Sequence, residues 1–265
     1  MRRDLFFILG AQDPEIRGIE DVLNKAGIGF AHAARDNRRC NSGNAYEANS
    51  TVVLGLNGRH RQVVKPANHQ IVLVECSLKG EQDAILVDHH NQGDPGFDAT
   101  PERYMEGSSL GQVLALLGIQ ANETQRLLAA ADHCLTAAYQ GQCPGVDVGE
   151  LFFMRSSWLA KLSGRPLIDV MTDIERAASV VKSRFNPKRG EAVFLDPTRL
   201  PRQLPEGAAY AGKPIRYRGM NAEFRMKEMI KGASPTAIET FMREHEQAGR
   251  QVYGNPNRGY AGAYL

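Results

Sequence analysis

The chain lacks most of the features that would assign it at once. Its 265 residues include only four cysteines, Cys40, Cys76, Cys134 and Cys143. None forms a Cys-x-x-Cys pair or a zinc-ribbon spacing, which sets aside structural zinc and thioredoxin-like chemistry and leaves reduced thiols as the expectation. No apolar run approaches the roughly 18 residues that a membrane span needs, so no membrane contact is expected. The opening Leu5-Phe6-Phe7-Ile8-Leu9 is too short for the apolar core of a signal peptide and reads as a first strand, so the expected location is cytoplasmic. There is no Walker loop and no Gly-x-Gly-x-x-Gly, which disfavours an NTPase or a dinucleotide-dependent dehydrogenase. Aromatic residues are only 7% of the chain. That is little stacking surface for a protein that tracks a long single strand.

Net charge is also small, +2, but its distribution is uneven. From Val180 onward there are 15 Lys and Arg against 8 Asp and Glu, and before it 17 against 22. An acidic part suited to cations and a basic part suited to phosphate are one explanation, and two differently charged solvated surfaces are the other.

What is present is a succession of short apolar runs separated by helical patterns. Strands are expected over residues 4–9, 51–56, 70–76 and 83–87, and a helix through Ile16, Ile19, Val22 and Leu23 that closes at Ala26-Gly27. Residues 35–50 read as loop with a short helix. Further helices are expected over 108–117, 124–139, 151–162 and 167–181, with Ser163-Gly164-Arg165-Pro166 breaking the last two apart. Beyond them lie strand candidates at 192–195 and 214–218, a helix over 235–248, and a Gly-rich end from Gly254 to Gly262. The fold class expected is α/β: a mostly parallel sheet with helices on both faces, plus a smaller C-terminal α+β lobe. The division expected is a metal-binding domain over 1–150, a helical connector over 151–182 and a C-terminal substrate-binding lobe over 183–265.

The candidate chemistry gathers at strand ends. Asp88-His89-His90 ends the apolar run Ala84-Ile85-Leu86-Val87, so a buried strand delivers a carboxylate and two imidazoles at its C-terminal end. That is where open α/β sheets bind ligands. Asp13 and Glu15 follow the first strand, Glu75 closes Ile71-Val72-Leu73-Val74, and Asp132-His133 lies in or beside an Ala-rich helix. In a parallel sheet these ends share one edge, and the mixture of carboxylate and imidazole suits Mn²⁺ or a similar divalent ion. Singly, each has a plainer explanation. Asp13-Pro14-Glu15 is also a helix start with Asp13 as cap, Glu75 a polar strand terminus and Asp132 a surface residue. The adjacent histidines are harder to explain plainly, because successive strand residues point to opposite faces.

Residues 70–118 combine Gln-Ile-Val-Leu-Val-Glu-Cys-Ser, Ala-Ile-Leu-Val-Asp-His-His and Glu-Gly-Ser-Ser-Leu-Gly-Gln-Val-Leu-Ala-Leu-Leu-Gly. This succession resembles the DHH phosphoesterase superfamily, as a divergent member, over roughly residues 4–145. The family includes single-strand exonucleases, nanoRNases, cyclic-dinucleotide phosphodiesterases and pyrophosphatases. The resemblance implies Asp13, Glu15, Glu75, His89 and Asp132 as metal ligands, with His90 as a phosphate contact and Asp88 as ligand or orienter; His90 and Asp88 would be the catalytic pair. In the C-terminal lobe, residues 254–263 loosely resemble the family's Gly-rich substrate loop, which implies His133, Arg258, Gly259 and Tyr260 as substrate contacts. Arg258 would clamp a phosphate and Tyr260 offer a stacking face. The departures are Leu9 where the family has a histidine, and glutamates at 15 and 75 where it has aspartates.

The function so implied is a metal-dependent phosphohydrolase or phosphodiesterase, with Mn²⁺, Mg²⁺ or another divalent ion as cofactor and a small nucleotide or short oligonucleotide as substrate. A homo-oligomer is left open. Two alternatives stand beside it: a degenerate nucleotide-binding or regulatory protein that keeps the fold without hydrolysis, and a single-metal hydrolase of a non-phosphate substrate.

Overall fold

The structure is a computed structural model, and it describes residues 4–54, 60–63, 66, 68–220 and 224–265. The chain divides into two compact units, Met1–Ala99 with Arg103–Asp132, and Thr100–Glu102 with His133–Leu265. No helix among the described residues is long and apolar enough to cross a membrane.

The first unit runs β1 (Leu5–Leu9), α1 (Pro14–Ala26), β2 (Phe30–Arg35), β3 (Arg38–Arg39), β4 (Ser50–Leu54), β5 (His60–Gln62), β6 (Gln70–Val74), β7 (Ile85–Val87), α2 (Tyr104–Gly107) and α3 (Ser109–Leu117). Helix α4 (Glu123–Tyr139) carries the chain into the second unit. The strands form one sheet in the order β5-β4-β2-β1-β6-β7, with β3 beside β2. Strands β2, β1, β6 and β7 are parallel, and the β3, β4 and β5 side is antiparallel. The strand expected over 51–56 is realised in β4, and Gly55 and Leu56 lie outside the described residues.

The parallel strands are apolar at consecutive positions because both of their faces are buried. Phe7, Leu9, Val72, Val74 and Val87 pack against Ile16, Ile19, Val22 and Leu23 of α1 and Leu110, Val113 and Leu114 of α3. The alternate positions Phe6, Ile8, Ile71 and Leu73 pack on the other face with Cys40, Ala45, Ala48 and Cys76. Among the described residues, the helix packed on that second face is the 3₁₀ turn Ala45–Glu47. Helix α1 begins as the sequence expects: Asp13 Oδ1 accepts from the Ile16 N–H at 2.7 Å, Pro14 opens the first turn, and Gly27 ends the helix at φ 65°. A cap of this kind contributes about 1 kcal/mol.

The second unit continues with α5 (Val148–Ser163), α6 (Leu167–Arg184), β8 (Ala192–Phe194), α7 (Leu204–Ala211), β9 (Ile215–Met220), β10 (Met226–Lys231), α8 (Pro235–Gln247), β11 (Val252–Asn255) and β12 (Tyr260–Tyr264). Its five-stranded sheet, in the order β11-β12-β10-β9-β8, is antiparallel except for the β8–β9 pair. One face packs Phe194, Ile215 and Tyr217 on Val181 of α6 and Leu204 and Ala208 of α7, while the other packs Ile230, Ala261 and Ala263 on Ile238 and Phe241 of α8. A mixed α/β chain with a largely parallel first sheet and a second, smaller sheet at the C-terminus is therefore the architecture, as the sequence pattern implies. The Gly-rich end is ordered: it supplies β11, a turn and β12.

Candidate metal centre

The register of the parallel strands brings the candidate residues to one edge. Leu9 pairs with Val74 and Val74 with Val87, so β1, β6 and β7 end level with one another. Glu75 and Asp88 are the next residues along β6 and β7, and Asp13 and Glu15 begin the helix that follows β1. Leu9, where the resembled family has histidine, points into the core and is fully buried.

Two local devices aim the glutamates. Glu75 adopts a left-handed backbone conformation at φ 50°, which turns its side chain away from the path of a continuing strand. A non-glycine residue held there costs on the order of 1–3 kcal/mol. The conformation brings the Glu75 carbonyl against Gly10, where an added Cβ would lie 2.3 Å from that oxygen, so only glycine fits opposite it. Glu15 is fixed differently: its Oε1 accepts from the Leu110 N–H at 3.0 Å, at the N-terminal end of α3. Ser108 caps the same helix by accepting from the Gly111 N–H at 3.0 Å. The Gly-Ser-Ser-Leu-Gly segment thus serves to present a helix end to Glu15.

Around these, Glu15, Glu75, His89 and Asp132 each offer a donor atom, and the four atoms lie within 4.8 Å of one another. A second set, Glu75, His89 and His90, meets the same condition and shares Glu75 and His89 with the first. His89 is fully buried, with Nε2 at 3.0 Å from Asp132 Oδ2 and 3.5 Å from Glu75 Oε1. Glu15 Oε2 and Glu75 Oε1 are buried and accept no hydrogen bond among the described residues. Buried carboxylate oxygens are normally hydrogen-bonded, so these two call for a proton or a cation.

The electrostatics agree. Burial, followed by the charges of Asp132 and Glu75, pushes the Asp13 carboxyl up to about 8. Burial and then Asp132, Glu75 and Asp13 push Glu15 well above the carboxylate range. Three acidic side chains and an imidazole, two of them with unsatisfied oxygens, fit a divalent cation with a preference for oxygen and nitrogen donors. Asp13 belongs to neither donor set; it feels the cluster while capping α1.

Asp88 also lies outside both sets. Its Oδ1 accepts from the His89 N–H at 2.7 Å and the His90 N–H at 3.1 Å, and meets His90 Nδ1 at 2.9 Å. Its Oδ2 accepts from the Tyr46 hydroxyl at 2.8 Å. Burial alone would raise its pKa, but the bonds from His90, Tyr46 and His89 outweigh burial and hold it below the usual carboxylate value. Asp88 is therefore an anionic anchor that fixes the His90 ring, whose side chain keeps 34% of its surface exposed. Two residues escaped the sequence reading here. Tyr46 is a single aromatic in a polar stretch and carries no motif. Gln112 donates through Nε2 to the carbonyls of Asp88 and Gly107, and its only sequence signal is its place in the Gly-Ser-Ser-Leu-Gly-Gln segment.

The remaining candidates sit in the second unit. Arg258 donates from Nε to the His133 carbonyl at 3.0 Å, and its guanidinium lies 5.4 Å from the centre of the Tyr260 ring. Gly259, at φ 69°, makes the turn from β11 to β12, and its carbonyl accepts from the Gly232 N–H at 2.7 Å. His133 is buried.

No family model matches the chain, and no curated protein matches it. Among solved structures it is similar to a pGpG-specific phosphodiesterase, PggH from Vibrio cholerae. The identity is 9%, over 99% of this chain and 93% of that one, with a TM-score of 0.34.

Proposed function

We propose that the chain is a metal-dependent phosphohydrolase of the DHH type, acting on a phosphodiester or phosphoanhydride bond of a small nucleotide or short oligonucleotide. The observation that carries the reading is the convergence of Glu15, Glu75, His89 and Asp132, with two buried carboxylate oxygens that accept no hydrogen bond among the described residues. These four would hold the cation, Mn²⁺ or Mg²⁺. When bound, such an ion polarises a phosphoryl oxygen and makes a bound water nucleophilic near neutral pH.

The chain's own residues do the rest. Asp88 engages His90 Nδ1, so the other ring nitrogen is the one turned to the reacting phosphoryl, where it donates a hydrogen bond to developing negative charge. Tyr46 and Gln112 hold Asp88 by its side chain and its carbonyl, so the imidazole is oriented before substrate arrives. Arg258, Gly259, Tyr260 and His133 are the proposed substrate contacts of the second unit, with the guanidinium on phosphate and the tyrosine ring against a base.

The test is turnover of dinucleotides and a generic aryl phosphodiester by chelator-treated protein to which Mn²⁺ is returned. His89→Ala and Asp132→Ala should remove it. Tight nucleotide binding without turnover would replace this reading with that of a nucleotide-binding protein. One tightly held zinc ion together with hydrolysis of an amide would replace it with a single-metal hydrolase.

A further inference from the structure

The last helical turns of α4 carry a second feature, beginning two residues beyond Asp132. The helix is interrupted at Cys134, whose φ −152° and ψ 53° are not helical. It then ends in a turn that sends the chain back on itself. The Gly141 N–H donates to the Ala138 carbonyl and the Gln142 N–H to the Ala137 carbonyl, both at 3.0 Å, with Gly141 at φ 72°. The reversal sets Cys143 beside Cys134, Sγ to Sγ at 3.2 Å. A disulfide bond is roughly 2.05 Å long, so closing it asks for about 1 Å of movement. The backbone at Cys134 has already left helical geometry, so the kink is the place to take up that movement.

The two thiols differ in access. Cys143 is buried, whereas Cys134 is partly exposed. The other two cysteines, Cys40 and Cys76, are buried in the first unit's core, away from oxidant and alkylating reagent. Thiol reactivity follows thiolate character and access, so these two are inert by comparison.

We propose that Cys134 and Cys143 are an oxidisable dithiol site that closes to an intramolecular disulfide and latches the interrupted end of α4 to the turn after it. With hydrogen peroxide as oxidant, the Cys134 sulfur attacks one peroxide oxygen, the O–O bond breaks, and one water leaves, giving a sulfenic acid. The Cys143 sulfur then attacks that sulfenic sulfur, the S–O bond breaks, and a second water leaves. Two thiols lose two electrons and two protons, and the peroxide takes up both.

The experiment treats the reduced full chain with stoichiometric peroxide, alkylates what remains, and maps the peptides by mass spectrometry. Hydrogen exchange is followed on the same samples. The expected result is one cross-linked Cys134–Cys143 peptide lighter by two hydrogens, alkylation of Cys40 and Cys76 only after unfolding, and slower exchange across residues 134–143. Cys134→Ser should abolish the cross-link, and because that side chain is partly exposed the variant keeps the test valid if Cys143→Ser fails to fold. Alkylatable thiols at both positions after peroxide, sulfinic acid at Cys134 without a cross-link, or cross-links between chains would each overturn the site. A cross-link with unchanged exchange would overturn the latch.

Discussion

Asp13 offers the sharpest thermodynamic test of the acidic cluster. Its carboxyl is pushed from 3.8 to about 8 by burial and by Asp132 and Glu75. A group whose pKa is raised on folding binds its proton more tightly in the folded state. The stability it contributes is therefore complete below about pH 4 and is lost as pH rises through about 8. At about 1.4 kcal/mol for each pH unit crossed, the full shift corresponds to roughly 6 kcal/mol. Asp13 is only partly buried, and solvent screening brings the expected effect down to about 2–3 kcal/mol. In a unit of this size that is on the order of 5–10 °C in Tm. The assay is thermal unfolding of chelator-treated protein between pH 5 and 8.5, beside Asp13→Asn, which keeps the helix cap but carries no charge. Wild type should lose stability across this range relative to the variant, and saturating Mn²⁺ should cancel the loss by replacing protons with a cation. A wild-type curve parallel to that of the variant would refute the reasoning.

Other outcomes follow from single contacts. Glu75→Gln removes one anionic donor from both candidate sets, and Mn²⁺ affinity measured by calorimetry should fall at least tenfold while the metal-free protein becomes no less stable. Tyr46→Phe loses only the hydroxyl that holds Asp88, so phosphodiester turnover should fall about tenfold, the range seen for residues that orient a metal site from outside it, with folding intact. Gly10→Ala forces a Cβ to 2.3 Å from the Glu75 carbonyl and should destabilise the protein by about 1–3 kcal/mol in chemical denaturation. In the second unit, Glu206 is buried and is satisfied by two bonds from Arg155 and one from the Tyr139 hydroxyl. Arg155→Ala removes both guanidinium bonds and leaves Glu206 the Tyr139 hydroxyl and the charge of Lys231, so a loss of about 1–3 kcal/mol is expected by the same measurement.

The parallel strands and long helices were legible in the sequence because each is a run whose period shows which faces are buried. Strand β2 was not, since Phe-Ala-His-Ala-Ala-Arg has neither an apolar run nor β-branched residues, and its place comes from pairing with β1. Strands β10 to β12 were hidden for a related reason. Gly262 and Ala263 carry almost no hydrophobic signal, and the Tyr253 ring lies over Gly262, where a Cβ would meet its hydroxyl at 2.4 Å and push the ring aside. At the candidate site, the Asp-His-His strand end and the acidic residues after β1 and β6 announced themselves by position. The spacing could not tell that Asp88 would turn to Tyr46 and His90 rather than to the donor cluster. That choice depends on a contact 42 residues away in the chain. Nor could it show how a glutamate serves where an aspartate is usual, because the left-handed turn at Glu75 packs against Gly10, just past the end of the neighbouring β1.

The central claim is that Glu15, Glu75, His89 and Asp132 hold a divalent cation. Anomalous diffraction from crystals soaked in Mn²⁺ tests it most directly. A strong peak enclosed by those four side chains, absent in His89→Ala crystals, is the expected result. Manganese bound only at surface carboxylates, with the four side chains drawn together around no ion, would contradict it.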